Sequence, residues 1–308
     1  MPTNIDPDAL VKAGAFTKKF YRDIYPAIDP TDPALSQAGK VVVITGASRG
    51  LGRSAFAAAF ARAGADAIIL LGRSVSDLAE TAALVTQINP RTKVFTASTD
   101  VTDAAVVDRV FQEIVTRFGV PHVLINNAGT LESLNSIIDS DVDNWWATQE
   151  TNVKGVFVVT KTFLKHQPSP QAVILNLVSS AAQARPPEMS SYSMSKIAIA
   201  KFTEFLHMEH PQITSIGLDP GIIPTEMAVR VPFQAPFMKD THELVGGTAV
   251  WLASGDKQYL SGRYISANWD MEELQHRKDQ FSDDRLLTFA LKGDFGHGHD
   301  HGIQQYLI

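Results

Sequence analysis

Tyr192 and Lys196 are the two residues of this 308-residue chain whose types and spacing point most directly to chemistry. At i and i+4 on a helix they share one face, which brings the ammonium near the phenol. A neighbouring cation favours the phenolate, and on that ground the tyrosine pKa is expected to fall from about 10 toward the working range. Tyr192 is then a proton donor and acceptor. Ser179 stands 13 residues earlier, at the end of an apolar run read as a strand. Open α/β sheets bind ligands at such strand ends, and a hydroxyl there can hold a substrate oxygen. Ser180, next to it, offers the same group. Taken singly, each of these is an ordinary serine, tyrosine or lysine of a surface helix or loop.

A second cluster lies near the N-terminus. Gly46, Ser48, Arg49, Gly50, Leu51 and Gly52 follow a β-branched run directly and open an alanine-rich helix. Glycines there allow a tight turn and close approach of backbone N–H groups to a pyrophosphate, whose charge the positive end of the helix favours. The spacing differs from Gly-x-Gly-x-x-Gly, and a plain strand-to-helix turn also explains it. Gly46 to Gly50 fits Gly-x-Ser-x-Gly as well, which would make Ser48 a hydrolase nucleophile. That reading lacks an upstream oxyanion loop and a recognisable acid and histidine partner. After the second β-branched run come Gly72 and Arg73, where an acid would bind an adenosine ribose hydroxyl. Arg49 and Arg73 can instead clamp a 2′-phosphate, so NADP(H) is the expected cofactor. Either arginine alone is also an ordinary loop cation.

The elements that must carry these residues alternate. Strands are expected at 41–45, 67–71, 93–97, 123–126, 173–178, 213–218 and 264–267, and helices at 51–63, 76–88, 104–118, 142–164, 193–208 and 242–252. This rhythm predicts an α/β fold with one doubly wound Rossmann domain around a seven-stranded parallel sheet, covering residues 39–270. An N-terminal arm, 1–38, holds a possible helix at 8–20 and then three prolines that oppose regular structure. A C-terminal extension, 271–308, begins as a charged, helical stretch and ends in a glycine- and histidine-rich tail.

Composition removes several alternatives. The chain has no cysteine, which excludes thiolate nucleophiles, iron–sulfur clusters and cysteine-bound zinc. A net charge of -6 without a basic run argues against nucleic acid and acidic lipid as partners. No apolar run reaches bilayer length and no leader is visible, so a cytoplasmic protein is expected. His297, His299 and His301 alternate in the tail, but no further ligand is tied to them, and no metal is expected. His207 and His210 read as a solvated helix end.

Together with the glycine loop, the segment Asn126 to Gly129, Asn152, Ser179, and the Tyr192 and Lys196 pair stand in an order that closely resembles the classical short-chain dehydrogenase/reductase family over residues 39–267. The resemblance implies that Tyr192 protonates a carbonyl oxygen as hydride arrives from a nicotinamide, while Ser179 orients that oxygen. Lys196 would hold the ribose hydroxyls and lower the tyrosine pKa, and Asn152 would anchor a water in a proton relay. It also implies adenine contacts from Asp100 and Val101, support beside the ribose from Asn127, Ala128 and Gly129, and a turn at Pro220 and Gly221 below the nicotinamide. Ile223 and Thr225 would meet the carboxamide. For Asp100 a helix cap, and for Pro220 and Gly221 a simple turn, are compatible local roles. The chain departs from the family at Asn268, Trp269 and Asp270, where many members end Asp-Gly-Gly, and in both terminal extensions, which resemble those of a set of fungal reductases.

The family places a mobile lid after Pro220 and Gly221. Here it spans 227–238 and is largely apolar, which suits a bulky hydrophobic ketone or aldehyde better than a sugar phosphate. Segments 130–139 and 181–191 are expected to form the other walls, with Gln183, Arg185 and Glu188 as polar contacts. A lid packed on its own core is the plainer account. The expected activity is NADP(H)-dependent reduction of a small-molecule carbonyl to an alcohol. Alternatives are a non-enzymatic dinucleotide-binding regulator, or an isomerase or dehydratase using the same site. A homo-oligomer, with a dimer favoured over the usual tetramer, would pair through the helices carrying Trp145, Trp146, Phe202 and Phe205, although burial in the core explains these aromatics equally well.

Overall fold

The computed structural model describes residues 5–131, 134–166 and 171–291. Its centre is one seven-stranded sheet of β1 (Val41–Thr45), β2 (Ala67–Gly72), β3 (Lys93–Ser98), β4 (Val123–Asn126), β5 (Val173–Leu177), β6 (Thr214–Asp219) and β7 (Tyr264–Ser266). The order is β3-β2-β1-β4-β5-β6-β7. Every pairing is parallel, with Val42 opposite both Ile68 and Val123. Helices cover both faces, so β1, β2, β4 and β5 are buried along their whole length and are built mainly of branched aliphatic residues. β3 lies at the edge and carries the more polar pattern of a strand with one partner. The strand order reverses between β1 and β4, and a crevice opens there at the carboxyl ends.

The helices are α1 (Ala9–Ala13), α2 (Ala58–Arg62), α3 (Val75–Ile88), α4 (Ala104–Phe118), α5 (Val142–Gln149), α6 (Gly155–His166), α7 (Ser190–Glu209), α8 (His242–Leu252) and α9 (Met271–His276). Two helices expected to be uniform are not. A π-helical stretch, Leu51–Ala57, precedes α2, and another, Glu150–Lys154, splits the expected 142–164 helix into α5 and α6. Such wide turns often mark functional sites. The expected 8–20 helix stops at Ala13, where Gly14 follows. The proline-rich stretch is more ordered than expected, because Pro26 and Pro33 each start a 3-10 turn, Pro26–Ile28 and Pro33–Leu35.

The terminal segments pack on the Rossmann core. Ile28 is fully buried, and a Cβ on Gly247 of α8 would lie 2.3 Å from the Ile28 carbonyl oxygen, so the bare helix face lets the segment sit directly on the backbone. Trp269 donates its indole N–H to Gly14 O at 2.9 Å, and Phe20 forms an antiparallel bridge with it. Tyr25 Oη accepts the Met271 N–H at 2.8 Å. Among the described residues no helix is long and apolar enough to cross a membrane. The histidines at 297, 299 and 301 lie outside the described residues, and within these no group of three potential ligands is placed to hold a metal.

Candidate active site

The glycine loop leaves β1 with Gly46 and Gly50 at φ of 63° and 54°, values that favour glycine. Asn127 braces the loop from the end of β4: its Nδ2 donates to Thr45 O and Gly46 O at 2.9 and 3.0 Å. The N–H groups of Asn127 and Ala128 both donate to Thr45 Oγ1 at 3.0 Å. A Cβ on Gly46 would come within 2.8 Å of Ala128 Cα, so this approach requires glycine.

Arg53 braces the other side of the loop. Its guanidinium donates to Ser48 O at 2.5 Å, Asp77 O at 2.9 Å and Thr81 Oγ1 at 3.0 Å, and pairs with Glu80 at 2.7 Å. This arginine escaped the sequence reading because it sits inside an expected helix. The loop ahead of the helix that begins at Leu51 is a rigid backbone cradle, and its residues fit a dinucleotide pyrophosphate. At the end of β2, a Cβ on Gly72 would lie 2.3 Å from Ser48 Oγ, so the serine hydroxyl fills the space where an acidic side chain would start.

The expected two-arginine clamp is not assembled. Arg49 instead pairs with Glu226 across 2.8 Å, with the side chains 69% and 70% exposed. Arg73 is exposed, and its charge contributes to holding the Asp100 carboxyl below its usual range, behind the Thr102 hydrogen bonds. Asp100 accepts the Thr102 N–H at 2.9 Å, while Asp103 caps α4. Val101 packs on Gly155, where a Cβ would lie 2.6 Å from its methyl group.

Ser179, Tyr192 and Lys196 come together at the end of β5 and the start of α7. Tyr192 hydrogen-bonds with Ser179, and Lys196 Nζ is 5.4 Å from the Tyr192 ring centroid. The Lys196 ammonium donates to Leu177 O at 2.6 Å. The expected fall of the tyrosine pKa is reversed in this structure. Burial, with the Asp219 charge adding to it, pushes Tyr192 up to about 12, while burial pulls Lys196 down to about 8. Desolvation disfavours both charged forms. Both groups are therefore protonated in the main at neutral pH.

Asp219, at the end of β6, was not anticipated. Its buried carboxylate accepts the Tyr264 hydroxyl and the N–H groups of Gly221 and Ser180, so one side chain ties the Ser179 turn to the Pro220–Gly221 turn. Burial raises its pKa, and these hydrogen bonds oppose the rise. An acid directly after the apolar strand run was the available signal.

Asn152 is buried in the π-helical stretch between α5 and α6. Its amide donates to Thr130 O and Ser195 Oγ at 2.9 Å each, and its carbonyl accepts the Thr130 N–H at 2.8 Å. Ser195 Oγ in turn donates to Tyr192 O at 2.7 Å. Asn152 thus joins the β4 loop to α7 through Ser195. Two further asparagines hold the sheet beneath: Asn126 Nδ2 donates to Asn176 and Thr160 at 2.8 Å, and Asn176 Nδ2 to Thr203 at 3.0 Å.

A pocket of about 110 Å³ opens beside Ser179 and Tyr192. Leu51 belongs to its lining, as do Pro220, Gly221, Ile223 and Thr225. The 227–238 segment forms two 3-10 turns, Ala228–Arg230 and Pro232–Phe237, and contributes Met227, Val231 and Gln234. Leu131, Met189 and Val231 form an apolar cluster with Tyr192 and Met227 packed on it, so the lid meets the pocket wall rather than its own core. The expected polar wall contacts Gln183, Arg185 and Glu188 are exposed and do not line this pocket.

With this geometry in view, comparison with known proteins gives one answer. The family model described as short chain dehydrogenase matches residues 40–234. The chain is 35% identical to the short chain dehydrogenase mpl6 of Monascus purpureus over 269 residues, covering 85% of this chain and 91% of that protein. It is 34% identical to the short chain dehydrogenase pigC of Monascus ruber over 293 residues, covering 91% and 95%. Among solved structures, the KRED1-Pglu enzyme is 29% identical with a TM-score of 0.66, covering 73% of this chain and all of that one. The short-chain dehydrogenase/reductase of Serratia marcescens is 26% identical with a TM-score of 0.68, covering 75% and 96%. The chain belongs to the short chain dehydrogenase family, enzymes that use a nicotinamide dinucleotide for oxidation and reduction.

Proposed function

We propose that this oxidoreductase is an NADP(H)-dependent carbonyl reductase that converts a bulky hydrophobic ketone or aldehyde to an alcohol. The observation that carries the reading is the meeting of Ser179 and Tyr192 at one apolar-walled pocket next to the glycine loop, with Lys196 buried beside the tyrosine ring. When bound, the dihydronicotinamide supplies the hydride. Ser179 donates a hydrogen bond to the carbonyl oxygen and fixes its position. Tyr192, protonated at neutral pH, gives that oxygen its proton as negative charge develops on it. Lys196 stabilises the resulting phenolate and holds the ribose side of the site. Asn152 keeps the Tyr192 helix in register through Ser195. Leu131, Met189 and Val231 exclude water from the reacting oxygen.

The preference for the 2′-phosphorylated dinucleotide rests on Gly72, which offers no carboxylate for a ribose hydroxyl, and on Arg73 and Arg49 nearby. Asp100, Val101 and the Asn127–Gly129 segment would flank the adenosine, and Ile223 and Thr225 the carboxamide. A homodimer is part of the same reading. Met194, Ile197, Phe205 and Met208 are exposed along α7, beside exposed Trp146 and Phe157 on α5 and α6. Contiguous apolar surface of this kind suits a partner face.

NADPH consumption against a panel of hydrophobic ketones, with product identification, tests the activity. Tyr192→Phe should lower kcat by at least about a thousandfold while NADPH binding stays within about twofold. Full turnover by that variant removes Tyr192 as the acid, and no turnover of any carbonyl by the wild type removes the reductase.

A further inference from the structure

The N-terminal segment reaches under the lid through Arg22. Its Nε lies 2.6 Å from Asp240 Oδ1, and Nη2 donates to Phe237 O at 2.5 Å. Nη1 also reaches Asp8 Oδ1 at 3.3 Å. The Asp240 side chain has no exposed surface. Its other oxygen accepts the Ile222 N–H at 2.5 Å, and Asn268 Nδ2 donates to Oδ1 at 2.8 Å. A Cβ on Gly221 would lie 2.4 Å from Asp240 Oδ2, so the carboxylate is pressed against the turn that floors the pocket.

Ile222 and Phe237 bracket the lid, and both are fastened to the same ion pair. The adjoining backbone repeats the connection: Thr241 N–H donates to Arg22 O at 3.0 Å, and Thr241 Oγ1 to Asp23 at 2.6 Å. Tyr21 is held in turn by Asn268, which accepts its N–H at 2.8 Å and donates to its carbonyl at 2.9 Å. Asn268 is one of the positions where this chain departs from the common family ending. The departure and the N-terminal segment thus form one structure.

We propose that Arg22 is a positioning residue for the substrate lid: through Asp240 and the Phe237 carbonyl it fixes both ends of residues 222–238 over the pocket. A buried carboxylate that loses its guanidinium must be neutralised or resolvated, and either change weakens its hold on the Ile222 N–H at the start of the lid. Arginine suits the task because its planar group faces Asp240 with one nitrogen and Phe237 O with another, a span wider than one ammonium nitrogen offers. The kinetic part of this proposal rests on the carbonyl reductase reading, whereas the lid's attachment does not.

Limited trypsin digestion reads the attachment directly, since Arg230 lies within the lid. Arg22→Met should speed cleavage after Arg230 by about tenfold, as expected for losing charge-assisted bonds that hold a local segment closed. With a ketone substrate, KM should rise by a similar factor while kcat stays within about twofold, and Arg22→Lys should restore part of both. Folded Arg22→Met protein cut after Arg230 at the wild-type rate overturns the proposal. So does an equal fall in kcat with unchanged KM. Should Arg22→Met not fold, Arg22→Lys decides by the same cut, which must be faster than in the wild type. If the wild type reduces no carbonyl, the reductase reading fails, and the trypsin result still decides the role of Arg22.

Discussion

Removing the Arg73 side chain should separate the two dinucleotides. Arg73 is exposed at the end of β2 next to Gly72, and its backbone is held by Ser98, whose hydroxyl donates to Arg73 O at 3.1 Å. A guanidinium on a phosphate oxygen contributes about 1.5–3 kcal/mol, and solvent screening at this exposed position reduces that to about 1–2 kcal/mol. Arg73→Ala should therefore weaken NADPH by about 5- to 30-fold and leave NADH within about twofold. Arg49 starts from a different state, because it must first leave Glu226, an exposed pair worth at most about 1 kcal/mol. Arg49→Ala should thus cost NADPH less than Arg73→Ala does. Glu226→Gln, which frees Arg49, should tighten NADPH by about 2- to 5-fold. Titration of reduced-nicotinamide fluorescence at low and high salt gives all of these constants, and the NADPH advantage should shrink with salt. Equal weakening of NADH and NADPH by Arg73→Ala would refute the assignment of Arg73 to the 2′-phosphate.

Gly247→Ala should lower stability even though alanine is the better helix former. The new Cβ would stand 2.3 Å from Ile28 O, and overpacking of about 1–3 kcal/mol outweighs a propensity gain of up to about 1 kcal/mol. A fall in Tm of about 1–3 °C by calorimetry is expected, and an unchanged or raised Tm would mean the Ile28 contact is not formed. Burial pushes Asp240 up to about 6, against the Arg22 charge and with the Asp219 charge adding to the rise. The folded state then holds a proton that the unfolded state has lost, so this contribution to stability is present below about pH 4 and is lost as pH rises through about 6. Asp240→Asn does not titrate. The stability of this variant relative to wild type should accordingly improve by roughly 2 kcal/mol between about pH 4 and pH 7 in urea melts. A gap that does not change with pH contradicts the raised pKa.

The sheet was legible because a parallel strand buried on both faces is built mainly of branched aliphatic residues, as in Val41–Thr45 and Ala67–Gly72. The site residues were legible for a related reason: Gly46 and the Tyr192–Lys196 pair are constrained locally, by backbone angle and by helical spacing. What escaped depends on contacts between distant parts of the chain. Arg49 meets Glu226, and Arg22 meets Asp240, through the tertiary fold alone. The π-helical stretch Glu150–Lys154 runs into α5 and α6 with no break in helical backbone, so 142–164 read as one helix. The tyrosine pKa failed as an expectation because proximity to Lys196 was visible in the spacing, whereas the burial of both groups beside Asp219 was not.

The clasp between the chain ends also sets an order of assembly. Tyr21 and Trp269 stand far apart in the sequence, yet residues 21 and 268 exchange backbone and side-chain hydrogen bonds, and Gly14 receives the Trp269 indole. During synthesis residues 14–25 leave the ribosome before β1, while their docking site is completed only after β7 has been made. The sheet can form from neighbouring βαβ units, whose contacts span tens of residues, well before contacts that span nearly the whole chain. The segment ahead of β1 therefore docks only after the sheet that follows it, and the floor of the pocket reaches its final form only when residues near 268 meet residues near 21.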